Sequence, residues 1–538
     1  MANIPIRDLG GVGVITDVSP YNLPLNAFSR AINVRFDGGK VRRSAVFRTI
    51  KDNSGFKPRI AVPNTPTSGF DTLVCVSDDY DIQELINGTY TDRSGSITGT
   101  SDPRAFTATS LADVSYINRE DRVPVFRAPN GTNYADLTNW PSDHRCGALR
   151  AYGDFLIALN TTETNVNYPT RVRFSDIATA NSVPSSWDET DTTKSAGFND
   201  LVDLKDKIID GLPLQSNFMI YTLSEVMMME FVGGTFVFNF RKLFNDAGIV
   251  NQNCVVEVEG RHYCFGQSDI YVHDGTAKTS ICDERVRDFI FNNMNSKNVD
   301  RYFVHHDPVN NEIYFCYQSG DEFVAFPNAG RCNRGAVYNY RNNTWSFVDL
   351  PNVSSGTVIN VNTVSTYAEA TNKTYDSVGG SYYDQEDGYN RQSVMVGEAD
   401  TDDGISSDKV YGLDAADNGK MSFNIDSEAT KGVTLERVGI DLDDLQQELT
   451  GYKVIRAINP QIRTDNNSLT EITFEFGAAD IPVNDPTYSE TRTFDISTDY
   501  KIDSRISGRY LSYKITFSDN KDFEFSGFDM DVVTTGRR

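Results

Sequence analysis

The chain has 538 residues with 32 Phe, 26 Tyr and a formal net charge of −25; that length exceeds one core and divides into two to four units at ~100–200 residues each. So acidic a balance argues against a surface that grips a phosphate backbone through clustered Lys and Arg, and the aromatic-rich composition favours strands over helices. Cys75, Cys146, Cys254, Cys264, Cys282, Cys316 and Cys332 are odd in number and contain no Cys-x-x-Cys pair, which argues against a disulfide framework and fits small buried hydrophobes made in a reducing cytoplasm.

Residues 1–58 open without a basic stretch followed by an apolar one, so no secretory signal is expected. Many turn formers mark the segment, and Asn33 to Phe36 and Val41 are placed as a short hairpin across Asp37-Gly38-Gly39. It reads as an extended arm that docks. Its basic cluster, Arg42, Arg43, Arg48 and Lys51, is assigned to internal ion pairs in preference to DNA or an acidic neighbour.

From 59 to 350 a unit recurs in which strands end in a Gly or Asn turn, at Asn87-Gly88, Asn130-Gly131, near Trp187-Asp188, Gly233-Gly234, Asp274-Gly275 and Asn342-Asn343. The intervals approximate the ~40–50-residue period of a β-propeller blade, and six or seven blades are expected. The clearest copy is 252–275, where Val256 to Val258, Tyr263 to Phe265 and Ile270 to Val272 alternate with polar turns. The long interval before Asn342 holds an insertion, Asp283 to Met294, with apolar residues at near-helical spacing. Phe218 to Phe238 contains Glu225 and Glu230 and is broken by Gly233-Gly234, so it reads as a pair of strands and not a membrane span. Trp345 is expected to pack between blades.

Residues 351–408 are rich in Ser, Thr, Asn, Gly and Asp and read as an exposed polar loop or insertion. Residues 409–538 alternate cleanly, as in Ile472, Phe474 and Phe476 or Leu511, Tyr513, Ile515 and Phe517. An antiparallel, sandwich-like C-terminal β domain follows.

No constellation rises to a catalytic or metal site. His305-His306-Asp307 lies on a strand whose successive side chains face opposite ways, and His144, His262 and His273 fall in separate repeats. Asp78, Asp79 and Asp81, Asp400 to Gly404, and Asp441 to Asp444 read as solvated acidic turns without calcium-loop spacing. Gly10 to Gly13 lacks the strand and helix of a phosphate cradle. The hydrolase turn pattern of some propellers keeps only its Trp at Tyr338 to Trp345, and no enzyme activity or cofactor is expected.

Several stretches together resemble one family. They are Gly13 to Thr16, Leu23 to Asn26, Ala31 to Arg35 and Gly38 to Arg43 near the start; Asn245 to Val250 with the 252–275 meander in the middle; and Leu435 to Leu442, Val454 to Pro460, Ser507 to Ser512, Gly527 to Val532 and Gly536 to Arg538 at the end. In this order they resemble the tail nozzle proteins of short-tailed bacteriophages, a group that includes packaged-DNA stabilisation proteins. The motif positions carried over are Asn33, Arg42, Arg43, Gly248, Gly266, Asp274, Gly275, Gly439, Pro460, Gly508, Arg509, Tyr510, Gly536 and Arg537. The resemblance implies a virion subunit of a ring, usually a hexamer, attached to the adaptor ring below the portal. Such a ring encloses the DNA exit channel, retains the genome, contacts spikes, fibres or a plug, and inserts into no membrane. An acidic lumen would let viral DNA slide past without specific binding, and 351–408 is the candidate for a gate or a tail contact. The competing classes are a receptor- or glycan-binding propeller and a propeller hydrolase.

Overall fold

The structure is a computed structural model and describes residues 2–53, 55–65, 71–86, 88–129, 131–234, 236–362, 389–415, 432–443, 451–464, 471–482, 485–517 and 522–536. Among these residues the chain is almost entirely antiparallel β. Five separate four-stranded sheets follow one another in sequence, at 58–92 (blade I), 107–136 (II), 144–200 (III), 210–244 (IV) and 255–280 (V). Each is a simple meander whose strands pair in chain order, and the inner strands of all five line one central cavity. That is a β-propeller.

Local chemistry explains the meanders. In blade V, Glu259 and Gly260 take φ of 51° and 76° and reverse the chain between Val255–Val258 and Arg261–Phe265. A tight turn with two positive φ values matches the twist of the flanking strands. All six turns singled out by sequence occupy the same topological position, between the third and fourth strands of a meander. The period is therefore right and its phase is off by one strand, because the turn was read as closing a blade. Asn87 and Asn130 of those turns lie outside the described residues.

The separate blades number five, not the six or seven expected. The next meander, Phe303–Asp307, Glu312–Tyr317, Cys332–Asn339 and Thr344–Asn362, does not stand alone. Its fourth strand is 19 residues long, pairs beyond the meander with Tyr389–Gly397, and meets Ile32 through Phe347. Continuous pairing absorbs the whole meander into a twelve-stranded sheet. The insertion before it forms the helix Arg287–Asn293, as its spacing predicts.

The described residues of 1–58 do dock, but as strands built into both large sheets and not as an extended arm. Ala2–Arg7 pairs with 527–532, Lys40–Arg43 with Glu524 and Phe525, Arg30–Ile32 with 434–436, and Phe47–Asn53 with Asp408–Leu413. The physical reason is burial: Ile4, Ile6, Val34, Phe36 and Val41 are all core residues, which an extended arm cannot provide. Residues 353–362 and 389–397 likewise form a strand pair and not a loop, with Ile359, Val394, Met395 and Val396 buried; the part of the expected gate at 363–388 lies outside the described residues.

The C-terminal strands divide between the twelve-stranded sheet and a seven-stranded one. These face each other across a shared core, with the Tyr513 ring edge-on to Phe528 at 5.3 Å. A single large apolar cluster runs from Ile4 and Phe28 through Tyr221, Ile249, Phe265 and Trp345 to Leu511 and Val532. Smaller clusters lie between blades I and II, between II and III, between III and IV, and between blade I and strands of the twelve-stranded sheet. All seven cysteines are buried and unpaired.

Candidate functional site: the axial cavity and the motif positions

The inner strands surround a cavity of about 660 Å³. Its wall is tied together by a polar knot that joins four blades. Arg150 of blade III donates Nε and Nη2 to the two oxygens of Asp210 of blade IV at 2.8 and 2.6 Å. Its Nη1 donates to Ala108 O of blade II at 2.9 Å, and Nη2 also donates to Asn253 Oδ1 at 2.9 Å. Asn253, just before blade V, returns its backbone N–H to Asp210 and its Nδ2 to Phe106 O. Each of the three Arg150 side-chain nitrogens donates within the wall, so the knot is structural.

Farther round, Arg59, Arg301 and Arg331 line the same cavity. Arg331 Nε and Arg59 Nη1 both donate to Glu398 Oε2, at 2.7 and 3.5 Å, and Arg59 also pairs with Asp78. Arg301 Nη1 donates to Gly330 O. These arginines are scattered through the sequence, Arg59 on a strand, Arg301 at the end of the 3-10 helix Ser296–Arg301 and Arg331 in a bend, so no linear motif announces them.

His262 and His273, assigned to separate repeats by sequence, are directly paired across neighbouring strands of blade V. Tyr221 Oη of blade IV lies 2.6 Å from His262 Nδ1 and 2.7 Å from His273 Nε2. The protons can be placed. Gly275 N–H donates to His273 Nδ1, so His273 carries its proton on Nε2 and donates to Tyr221. His262 Nε2 donates to Pro213 O at 2.8 Å, so His262 Nδ1 accepts the Tyr221 proton. The relay is complete and uncharged. Burial pushes His262 down to about 4 and, with His262 beside it, His273 down to about 3.

His305 is buried and also held well below its usual range by burial. Asp307 accepts from Asn310 Nδ2 and from the Ser393 hydroxyl, which makes it a structural acceptor. Glu312 is wholly buried and pushed up to about 7 by burial, although Arg35 lies 3.2 Å away and Tyr314 donates to it. Among the described residues no group of three His, Cys, Asp or Glu side chains is arranged to hold a metal ion.

The motif positions that lie within the described residues have structural duties. Asn33 sits at φ 60° and is fully buried; Nδ2 donates to Asp349 at 2.9 Å, Oδ1 accepts from Asp349 N, and its N–H donates to Phe347 O. Asn tolerates that left-handed conformation better than most side chains. Arg42 pairs with Glu524 at 2.6 Å and Arg43 with Asp522 and Asp414, the internal role expected of the basic cluster. Asp274 caps its turn by accepting from Thr276 and Ala277, and those bonds hold its carboxyl well below the usual range. Gly275 and Gly439 take φ of 88° and 68°. Pro460 pairs with Phe528 and Gly536 with Tyr452 in the seven-stranded sheet. Gly508 pairs with Lys453, Arg509 approaches Asp443 at 3.8 Å, and Tyr510 packs on Tyr21 at 6.2 Å. Arg537 lies outside the described residues.

Gly248 and Gly266 are needed for close approach. A Cβ on Gly248 would run into the backbone oxygens of Leu223 and Thr222, and one on Gly266 would stand 2.8 Å from Asp269 O. Backbone cannot retreat as a flexible side chain does. Gly248→Ala is therefore expected to destabilise the chain by about 1–3 kcal/mol, read as a lower midpoint in urea unfolding; an unchanged midpoint would mean that blades IV and V have slack at this contact.

Sequence reasoning missed Arg437 altogether. It is buried without a carboxylate partner among the described residues, donates to the carbonyls of Pro20 and Leu23 at 2.6 and 2.8 Å, and is pushed down to about 10 by burial. Its place among Leu435, Val438 and Ile440 in a stretch of buried apolar residues was the available signal. It fastens the N-terminal segment to the C-terminal sheet.

No family model matches this chain, and no curated protein matches it. Among solved structures, the crystal structure of RRP9 WD40 repeats is 7% identical, with a TM-score of 0.35 over 66% of this chain and 99% of that chain.

Proposed function

We propose that the chain is a non-enzymatic virion protein, one subunit of the tail nozzle ring of a short-tailed bacteriophage, assembled as a hexamer below the portal adaptor and enclosing the DNA exit channel. The observation that carries this reading is where the resembling stretches meet. Although they are scattered from Gly13 to Arg538, most of their buried apolar residues fall in the single large core. Val14, Ile32, Val34 and Val41 come from the first stretch, Ile249 and Val250 from the middle, and Leu435, Ile440, Ile455, Ile458, Leu511, Phe528 and Val532 from the last. Blades I, II and III, which contribute no residue to that core, contain none of them. The resemblance thus follows a structural unit, a platform that staples both chain ends to blades IV and V, as a subunit that holds a ring together requires. The net charge of −25 suits a wall past which DNA slides by repulsion, retained until ejection and bound nowhere specifically. Spikes, fibres or a plug are the tail partners of this reading.

Immunogold electron microscopy of particles, with antibody raised to this chain, tests it. Gold at a single vertex is the expected result. Particles without gold, with the chain free or on cells, would remove the tail reading and favour the second, a receptor- or glycan-binding propeller, for which the polar axial cavity is the supporting feature.

A further inference from the structure

We propose that the axial cavity is a binding site for a small anionic ligand, held through a carboxylate or phosphate group by Arg301 and Arg331. Three guanidinium groups, those of Arg59, Arg301 and Arg331, are gathered on one part of the wall, and their bonded carboxylates are two, Asp78 and Glu398. One positive charge is left over. The other carboxylates of the cavity, Asp113 and Asp300, are exposed to water and pair with none of the three.

Hydrogen bonding points the same way as charge. Arg331 is 5% exposed; its Nε is committed to Glu398 and its backbone N–H to Asn352, while its two terminal nitrogens donate to no described residue. Arg301 spends Nη1 on Gly330 O, which sets it beside Arg331 in the chain, and its Nε is buried without a hydrogen-bond partner among the described residues. Buried donors are almost always satisfied, and a guanidinium fork matches the paired oxygens of a carboxylate or phosphate. Glu398, by holding Arg331 and Arg59 from behind, fixes the forks before any ligand arrives, so little ordering remains to oppose binding. A cavity of about 660 Å³ is the size that takes a small molecule and is too small for a folded partner.

The test is calorimetric titration of the full chain at low ionic strength with inorganic phosphate, succinate and, as a neutral control, glucose. Saturable binding of phosphate or succinate, with none of glucose, is expected. Arg301→Gln should weaken it about tenfold or more, whereas Arg341→Gln, at an exposed residue paired with Glu259 and outside the cavity lining, should leave it unchanged. Arg301 makes one backbone bond, so its variant is expected to melt near the parent temperature, and the melt is measured alongside. Preference for phosphate identifies a phosphorylated ligand and preference for succinate a carboxylate. Absence of saturable binding by about 10 mM, or equal affinity in Arg301→Gln, overturns the proposal.

Discussion

Replacing Asp210 with alanine is expected to cost the fold about 3–5 kcal/mol, the largest effect of any single substitution proposed for this chain. Asp210 is fully buried and accepts from Arg150 through both oxygens and from Asn253 N. Its loss leaves the Arg150 guanidinium charged, nearly buried and half-bonded, which costs more than the pair contributes when intact. Because Arg150 and Asn253 also reach Ala108 and Phe106, four blades lose a common tie. Chemical unfolding of Asp210→Ala measures this, with Arg150→Leu/Asp210→Leu as the comparison. The double variant removes both charges and should recover part of the loss. A drop below about 1 kcal/mol in Asp210→Ala would mean that water reaches the knot and screens it.

Acid is expected to unfold the chain from the blade IV–V relay. In the folded chain His262 and His273 stay neutral down to about 4 and about 3, whereas in the unfolded chain they take up protons at about 6.5. Their stabilisation is complete above pH ~6.5 and is lost as pH falls, at about 1.4 kcal/mol per unit for each fully titrating histidine. By pH 4 the two together remove several kcal/mol. His305 acts in the same direction. Glu312, pushed up to about 7, acts in the opposite one, favouring the folded state as pH falls from 7 toward 4.5; one such group offsets part of the loss from three histidines. Unfolding midpoints between pH 7.5 and pH 4 should fall steadily, and the fall should be shallower in His262→Gln/His273→Gln even though that variant starts lower. Tyr221→Phe should lower the neutral-pH midpoint by about 1–3 kcal/mol, since it leaves His262 Nδ1 and His273 Nε2 without their partner. A flat profile from pH 7 to pH 5 in the parent chain would rule out the relay as the acid-sensitive element.

Much of the fold was legible because it is written locally. Alternating apolar residues and turn formers identified blade V strand by strand, the Val34–Arg43 hairpin and the helix near Asp283 to Met294, since each depends on residues a few positions apart. Propeller closure and blade count were not legible in the same way. The meander after blade V has the same local pattern as the blades, and only the continuation of Thr344–Asn362 into pairing with Tyr389–Gly397 removes it from the count. The cavity arginines and the Tyr221 relay were hidden for a related reason: Tyr221 and His273 stand 52 positions apart and meet through blade packing, which no spacing rule encodes.

By itself the sequence determined the β class, the repeating unit, the burial of the cysteines and the internal pairing of Arg42 and Arg43. Only the tertiary structure decided what becomes of the two ends. Strand pairing joins residues more than 500 positions apart, as Ala2 with Val532, and any alternating segment presents the same row of N–H and C=O groups to any other. Which edges meet is settled by the shape of the shared core. That is why 1–58 reads as an extended docking arm along the chain and stands inside the platform in space.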